Sequence, residues 1–397
     1  MKYPITPDYL ASCPQPLLDL YAWLEDYMIK AVCEQLEWTG EPNASALEII
    51  RELQRRGMPM DEVERRIKRI TGLSDSEWDK IMDDAVKRNN AYYTAVSDKL
   101  GLLLEDIQAD AMADEIEAIR RQTADNLRNL TQSLGFGMRD LGANVVISDV
   151  QKTYQLILDK AEMKVLSGVE SYNEAIRGGV REMADSGLIG EWVEYRNETG
   201  VYHRNRVDVA VRRAVMTGVT QISAQYSEKA AEDLGTEYRE VSAHRGARDV
   251  DGPNGWENHK RWQGKVYSLK SGDKYPNIYA VCGLGDVTGL EGANCRHMHF
   301  PFIEGISERT YTDEELKNID RPPFKYQGKE YTAYEATQTQ RALEREIRKQ
   351  KRRMTAFKAA GDTESYTTAK ARKNMLMMHY EAFSKAADLP LQMDRTL

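Results

Sequence analysis

The sequence predicts a mainly α protein that carries one small α+β module. Three observations lead there. Apolar side chains recur every three or four positions through most of residues 1–187. From Gly187 the texture changes to short β-like pieces between Gly-, Asp-, Asn- and Pro-rich turns, in a His/Cys-rich stretch at about 190–310. Residues 311–397 return to helix, with a basic excess. The chain has 397 residues, enough for two or three domains. Its 30% charged content suits extended helices with wide solvated faces. The division expected is a helical assembly region at 1–187, the α+β module at 188–310 and a helical, basic arm at 311–397.

Within the first region, Leu17 to Leu36 makes one amphipathic segment, closed by Gly40 and Pro42. Leu47, Ile50 and Leu53 mark a second helix that ends in the Gly57–Pro59 breaker. Val63, Ile67 and Ile70 mark a third, which Gly72 is placed to stop as a C-terminal glycine. Ser74 and Glu77 then have capping-box spacing, with Leu73 and Trp78 as a staple, so a new helix is expected at Ser74. Leu104, Ile107 and Ala111 continue into Ile116, Ile119, Thr123, Leu127, Leu130 and Leu134 as a long helix. After an interruption at Gly135–Gly142, Tyr154, Ile157, Leu158, Val165, Leu166 and Val169 form a similar stripe.

In the module, Tyr202 to Leu234 reads as a helix. Tyr238–Ala243, Lys265–Leu269, Asn277–Val281 and His297–Ile303 read as short strands. Thr312 and Glu315 make a capping box with Tyr311 and Leu316 as its staple. Pro322–Pro323 ends that helix, and a long helical stretch from about Ala333 to Ala387 is expected to break at Gly361.

The net charge of −8 is unevenly distributed: residues 321–397 carry 16 Lys+Arg against 9 Asp+Glu. The excess peaks in RALEREIRKQKRR, residues 341–353, where Arg345, Arg348, Lys349, Lys351, Arg352 and Arg353 are candidates for contact with nucleic acid. A solvated helix face accounts for the same run. No stretch approaches the ~18 apolar residues of a membrane span, and the N-terminus lacks the apolar core of a secretory signal. Four cysteines make no disulfide framework, so thiols in a reducing cytoplasm are expected.

Five of the six histidines and two of the cysteines fall between His203 and His299. The candidate site is His244, His259, Cys295 and His297, with His203, Cys282 and His299 nearby in sequence. Imidazole and thiolate are the ligands zinc prefers, and four of them could close a tetrahedral structural site. If residues 295–299 are extended, Cys295, His297 and His299 share one face, since side chains alternate along a strand. Hydrogen bonding of these histidines to loop carbonyls and carboxylates explains them equally without a metal. A hydrolytic reading makes His244 and His259 general acid and base, with Arg245, Arg248 or Arg296 steadying a phosphate. The run GLGDVTG, residues 283–289, is one residue off the dinucleotide fingerprint and reads as a turn whose glycines supply positive φ. HKRWQGKVYSLK, residues 259–270, could touch nucleic acid through stacking and charge, or be an edge strand with lysines in water.

The ordered runs SAHRGAR (242–248), His259, RWQGKVYSL (261–269), KYPNIY (274–279) and GLEGANCRH…PFIEGISER (289–309) resemble the phage minor capsid protein 2 family. That family belongs to the head-morphogenesis proteins of tailed bacteriophages, related to the Mu F-like minor head proteins. The helix RNRVDVAVRRAVMTGVTQISAQ (204–225) is similar too. Two departures stand out: DVDGPNGWEN intervenes before His259, and Cys282 stands where the family generally has another small residue. The resemblance implies a virion structural protein made in the host cytoplasm. Its implied partners are the portal protein, the major capsid protein and the packaged DNA; the sequence shows no membrane segment, and no small-molecule substrate is identified.

Overall fold

The computed structural model describes residues 3–36, 46–101, 111–193 and 203–396. Among the described residues the helices are α1 (Pro7–Ser12), α2 (Gln15–Glu34), α3 (Ala46–Arg56), α4 (Asp61–Leu100), α5 (Ala113–Gln132), α6 (Val150–Leu166), α7 (Tyr172–Ser186), α8 (Val207–Asp233), α9 (His259–Trp262), α10 (Ile278–Cys282), α11 (Asp313–Lys317), α12 (Ala333–Ala360) and α13 (Thr363–Ala387). The strands are β1 (Gly135–Arg139), β2 (Val145–Ser148), β3 (Leu188–Val193), β4 (His203–Arg206), β5 (Tyr238–Val241), β6 (Val266–Ser268), β7 (His299–Phe302), β8 (Phe324–Tyr326) and β9 (Lys329–Tyr331). The expected mainly α fold with a small α+β module is what forms. The expected Leu104 and Ile107 lie outside the described residues.

The chain gathers into two compact units, each built from three separate stretches. One holds Met1–Pro16, Asp75–Asn126 and Arg212–Gln338; the other holds Leu17–Ser74, Leu127–Val211 and Thr339–Leu397. Both therefore draw on all three of the consecutive regions that the sequence suggested.

In the unit containing Arg212–Gln338, β5 lies between β6 and β7 in an antiparallel sheet. Ser242 extends this pairing, donating its backbone N–H to the Met298 carbonyl and accepting the Gly264 N–H. The buried residues Val241, Trp262, Tyr267, Ile278, Cys282, Leu290 and Cys295 form its core cluster. Trp78, fully buried, donates from its indole N–H to the Arg120 carbonyl at 3.0 Å. Gly218 of α8 leaves room for that indole: a Cβ there would stand 2.5 Å from the ring. Ser223 and Tyr226 of α8 donate to Asn89 and Asn90 of α4.

The other unit has a sheet of order β2-β1-β3-β4, with all pairs antiparallel. The β1–β2 hairpin occupies what the sequence shows as a helix interruption. Phe136 and Met138 alternate inward with no exposed surface, while Asp140 accepts from the Asn144 backbone N–H at 2.8 Å to close the turn.

Three further expectations are corrected. No helix begins at Ser74: α4 runs unbroken from Asp61 to Leu100. Ile70, Ser74 and Trp78, spaced by four, are all buried on one stripe, and Glu77 pairs with Lys80 instead of capping. Asn277–Val281 is helical, because Asn277 caps α10 by accepting from the Ala280 N–H and left-handed Gly283 ends it. The helix expected from Tyr202 begins at Val207, after β4. The Thr312–Glu315 capping box and the break at Gly361 form as expected.

Candidate metal centre

The short helix α9 and the loop leading into β7 bring His259, Cys295 and His297 together, all buried. The Cys295 sulfur lies 3.7 Å from His259 Nδ1 and 3.6 Å from His297 Nδ1. A tetrahedral zinc, with bonds of about 2.3 Å to sulfur and 2.0–2.1 Å to nitrogen, separates those two ligand atoms by about 3.6 Å.

The outer nitrogens fix the tautomers. His259 Nε2 donates to the Thr288 carbonyl at 3.0 Å, since a carbonyl only accepts. Gln263 Oε1 accepts the His244 backbone N–H at 3.0 Å, so it is an acceptor for His297 Nε2 as well, also at 3.0 Å. Both Nδ1 lone pairs are thereby left facing the thiol. Metal-bound histidines usually show this arrangement, an outer N–H held by a carbonyl. The His297 backbone N–H points at the same sulfur, 3.4 Å away.

Burial, before any other cause, pushes His259 down to about 4 and holds His297 well below its ordinary value. It pushes the Cys295 thiol up to about 11. At neutral pH the two imidazoles are therefore neutral donors, as metal binding requires. A bound cation would reverse the effect on the thiol.

His244, the fourth candidate, does not join this trio of donors. Its ring stacks on His297 at 4.3 Å, and Nδ1 lies 3.0 Å from both Arg296 Nη2 and the Arg245 carbonyl. Burial and the Arg296 charge hold it down at about 3. Arg248 reaches the Thr288 carbonyl at 3.3 Å. Cys282 is buried in the core cluster beside Cys295. The His203 side chain lies outside the described residues.

His299 is not part of the trio formed by His259, Cys295 and His297, and the strand begins only at residue 299. It is buried between two carboxylates, 2.8 Å from Glu291 and 2.7 Å from Glu228. Despite burial, these carboxylates raise it to about 9.

Several supporting residues escape a reading by residue type. Trp262 packs against both His259 and His297 and donates to the Trp256 carbonyl at 2.8 Å. Trp256, in the DVDGPNGWEN insertion, covers Gly283, where a Cβ would stand 2.6 Å from the indole. Gly283 and Gly285 have the positive φ expected of GLGDVTG. The only advance sign of Gln263 and Trp262 was their place in the RWQG run.

The six candidate nucleic-acid residues divide. In their own unit, Arg348 pairs with Asp208 at 2.5 Å, and Arg353 holds both oxygens of Asp185 at 2.5 and 2.7 Å. Arg352 is buried and donates to the Ala184 carbonyl at 2.8 Å. Lys349 and Lys351 are half-buried and Arg345 is exposed. Half of the run is thus occupied inside the fold.

The sequence matches the profile described as phage minor capsid protein 2 over residues 5–380. It is 23% identical over 291 residues to a protein named "Structural protein" from Lactococcus phage LL-H, covering 72% of this chain and 71% of that one. It is 36% identical over 90 residues to another "Structural protein", from Lactococcus phage mv4, covering 23% of this chain and 63% of the relative. No solved structure matches significantly.

Proposed function

This chain belongs to the phage minor capsid protein 2 family, and from that premise we propose that it is built in few copies into the head of a tailed bacteriophage, at the portal vertex. The observation that carries this reading is the extent of the family match, residues 5–380, which takes in stretches of both compact units. The two relatives, named as structural proteins of phages, support it. The portal protein and major capsid protein are its partners in this reading, the packaged DNA lies against it, and assembly takes place in the host cytoplasm. No helix among the described residues is long and apolar enough to cross a membrane.

In the same reading, His259, Cys295 and His297 hold a zinc ion that staples α9 to the loop before β7. The support is the donor set itself: two Nδ1 lone pairs and one sulfur at tetrahedral-edge spacing, with both outer nitrogens anchored. One observation favours a hydrolytic role for the site: among the described residues it has three protein donors, where a closed structural site has four.

The test has two arms. Plasma mass spectrometry of the purified protein is expected to find about one zinc per chain, lost in Cys295→Ser and His259→Ala. Metal-free wild-type protein would remove the staple. Quantitative mass spectrometry of purified phage heads, cross-linked before digestion, is expected to find the chain at low copy and joined to the portal protein. Its absence from heads would overturn the proposed role. Cleavage of plasmid DNA by the zinc-loaded protein, abolished by His244→Ala, would establish the hydrolytic reading.

A further inference from the structure

Helices α7, α12 and α13 enclose a cleft of about 240 Å³ in one compact unit, far in sequence from the candidate metal centre. Four guanidinium groups line it: Arg177 and Arg181 from α7, Arg353 from α12 and Arg372 from α13. We propose that this cleft binds a phosphoryl anion, either free phosphate or the terminal phosphate of a nucleotide chain.

The four cations are not equivalent. Asp362 takes Arg177 Nε at 2.7 Å, and Asp185 takes Nε and Nη2 of Arg353. These two carboxylates hold the guanidinium planes in place at the wall of the cleft. Arg181 and Arg372 are both exposed and bring two further charges to the cleft. Guanidinium forks match phosphoryl oxygens in pairs, which makes arginine the preferred residue for such ligands.

A second observation is independent of charge. Gln350 also lines the cleft and is only 5% exposed, and its Oε1 is buried without a hydrogen-bond partner. A buried polar atom left unpaired is costly and calls for a ligand or water to satisfy it. Monohydrogen phosphate offers oxygens to the arginines and one O–H to an acceptor. The first turn of α13, capped by Asp362 through the Ser365 N–H, brings Glu364 and Ser365 to the cleft. Glu364, 3.6 Å from Arg177 and 84% exposed, is the group that an entering anion displaces. A cleft this size admits a phosphate and a short attached group, not a duplex.

Isothermal titration of the full-length protein with inorganic phosphate, and with a thymidine dinucleotide with or without a 5′-phosphate, tests this. Saturable binding of phosphate is expected, weakened at least ~10-fold in Arg181→Gln/Arg372→Gln. It should be unchanged in Arg345→Gln/Lys349→Gln, outside the cleft. Since Arg181 and Arg372 are exposed, the double variant should melt like the wild type, so lost binding will not reflect lost folding. Binding of the 5′-phosphorylated dinucleotide alone among the dinucleotides assigns the site to a terminal phosphate. Failure of both dinucleotides assigns it to the free ion. No saturable binding of phosphate, or equal binding in wild type and Arg181→Gln/Arg372→Gln, overturns the proposal.

Discussion

Glu228 ties two buried cations to α8: His299 Nε2 at 2.7 Å on one oxygen and Arg239 Nη2 at 2.6 Å on the other. Arg239 and His299 are each 2% exposed, and Glu228, together with Glu291 on the other side of His299, makes their burial tolerable. Burial works against the Glu228 charge, yet the hydrogen bonds from His299 and Arg239 outweigh it and hold the group at about 2, below its ordinary 4.5. A carboxylate held low when folded contributes stability above its unfolded value and loses it as pH falls through the folded one. Wild-type stability should therefore decline from pH 4.5 toward 2 more steeply than that of Glu228→Gln. At pH 7 the same substitution should cost about 1–2 kcal/mol: Arg239 loses its charged partner, but Glu228 is 38% exposed and screened by solvent, and His299 keeps Glu291. Thermal melting of both proteins across pH checks this; parallel acid slopes would mean that Glu228 is already satisfied by solvent. Nothing in the sequence marks Glu228, which lies 71 positions from His299. Cys295 and His297, by contrast, were legible, because two metal-ligand side chains separated by one residue are rare without a reason.

At the scale of elements, the sequence announced helices well and their ends poorly. The apolar stripes of α2 and α6 are visible because each repeats over many turns. The hairpin β1–β2 was hidden, since four residues of alternation cannot outweigh glycines that read as a break. The apparent boundary at Gly72–Ser74 was local chemistry overruled by packing. Gly72 keeps helical backbone and has open space where a Cβ would stand, unlike the positive-φ glycine of a helix end. Gly72→Ala should then stabilise the protein by about 0.5–1 kcal/mol, the helix-interior difference between the two residues. Gly218→Ala makes the opposite case: its methyl would meet Trp78 at 2.5 Å and Thr123 at 2.6 Å, and overpacking should cost about 1–3 kcal/mol. Chemical denaturation of the two variants separates these outcomes. A destabilised Gly72→Ala would restore the helix break that the capping pattern suggested.

For the whole molecule, sequence order misleads about what folds together. Composition marks off residues 188–310 as a module, but the unit that holds His259, Cys295 and His297 also contains Met1–Pro16 and Asp75–Asn126. Tyr3 stacks on Phe300 at 4.4 Å, Tyr93 stacks on Tyr226 at 6.1 Å, and Tyr311 donates to the Ala243 carbonyl at 3.0 Å. A fragment of residues 188–310 loses each of those partners and exposes the face of α8 that Trp78 covers. Residues Leu188–Val211 would meanwhile be severed from the unit where β3 pairs with β1. A compact domain needs its own closed core to unfold as one step. The fragment should therefore melt without a cooperative transition, with or without zinc, while the full-length chain melts cooperatively. Differential scanning calorimetry of both, each with and without zinc, decides the matter. A sharp transition in the fragment would show that residues 188–310 close their own core, and that the long-range contacts join two finished parts.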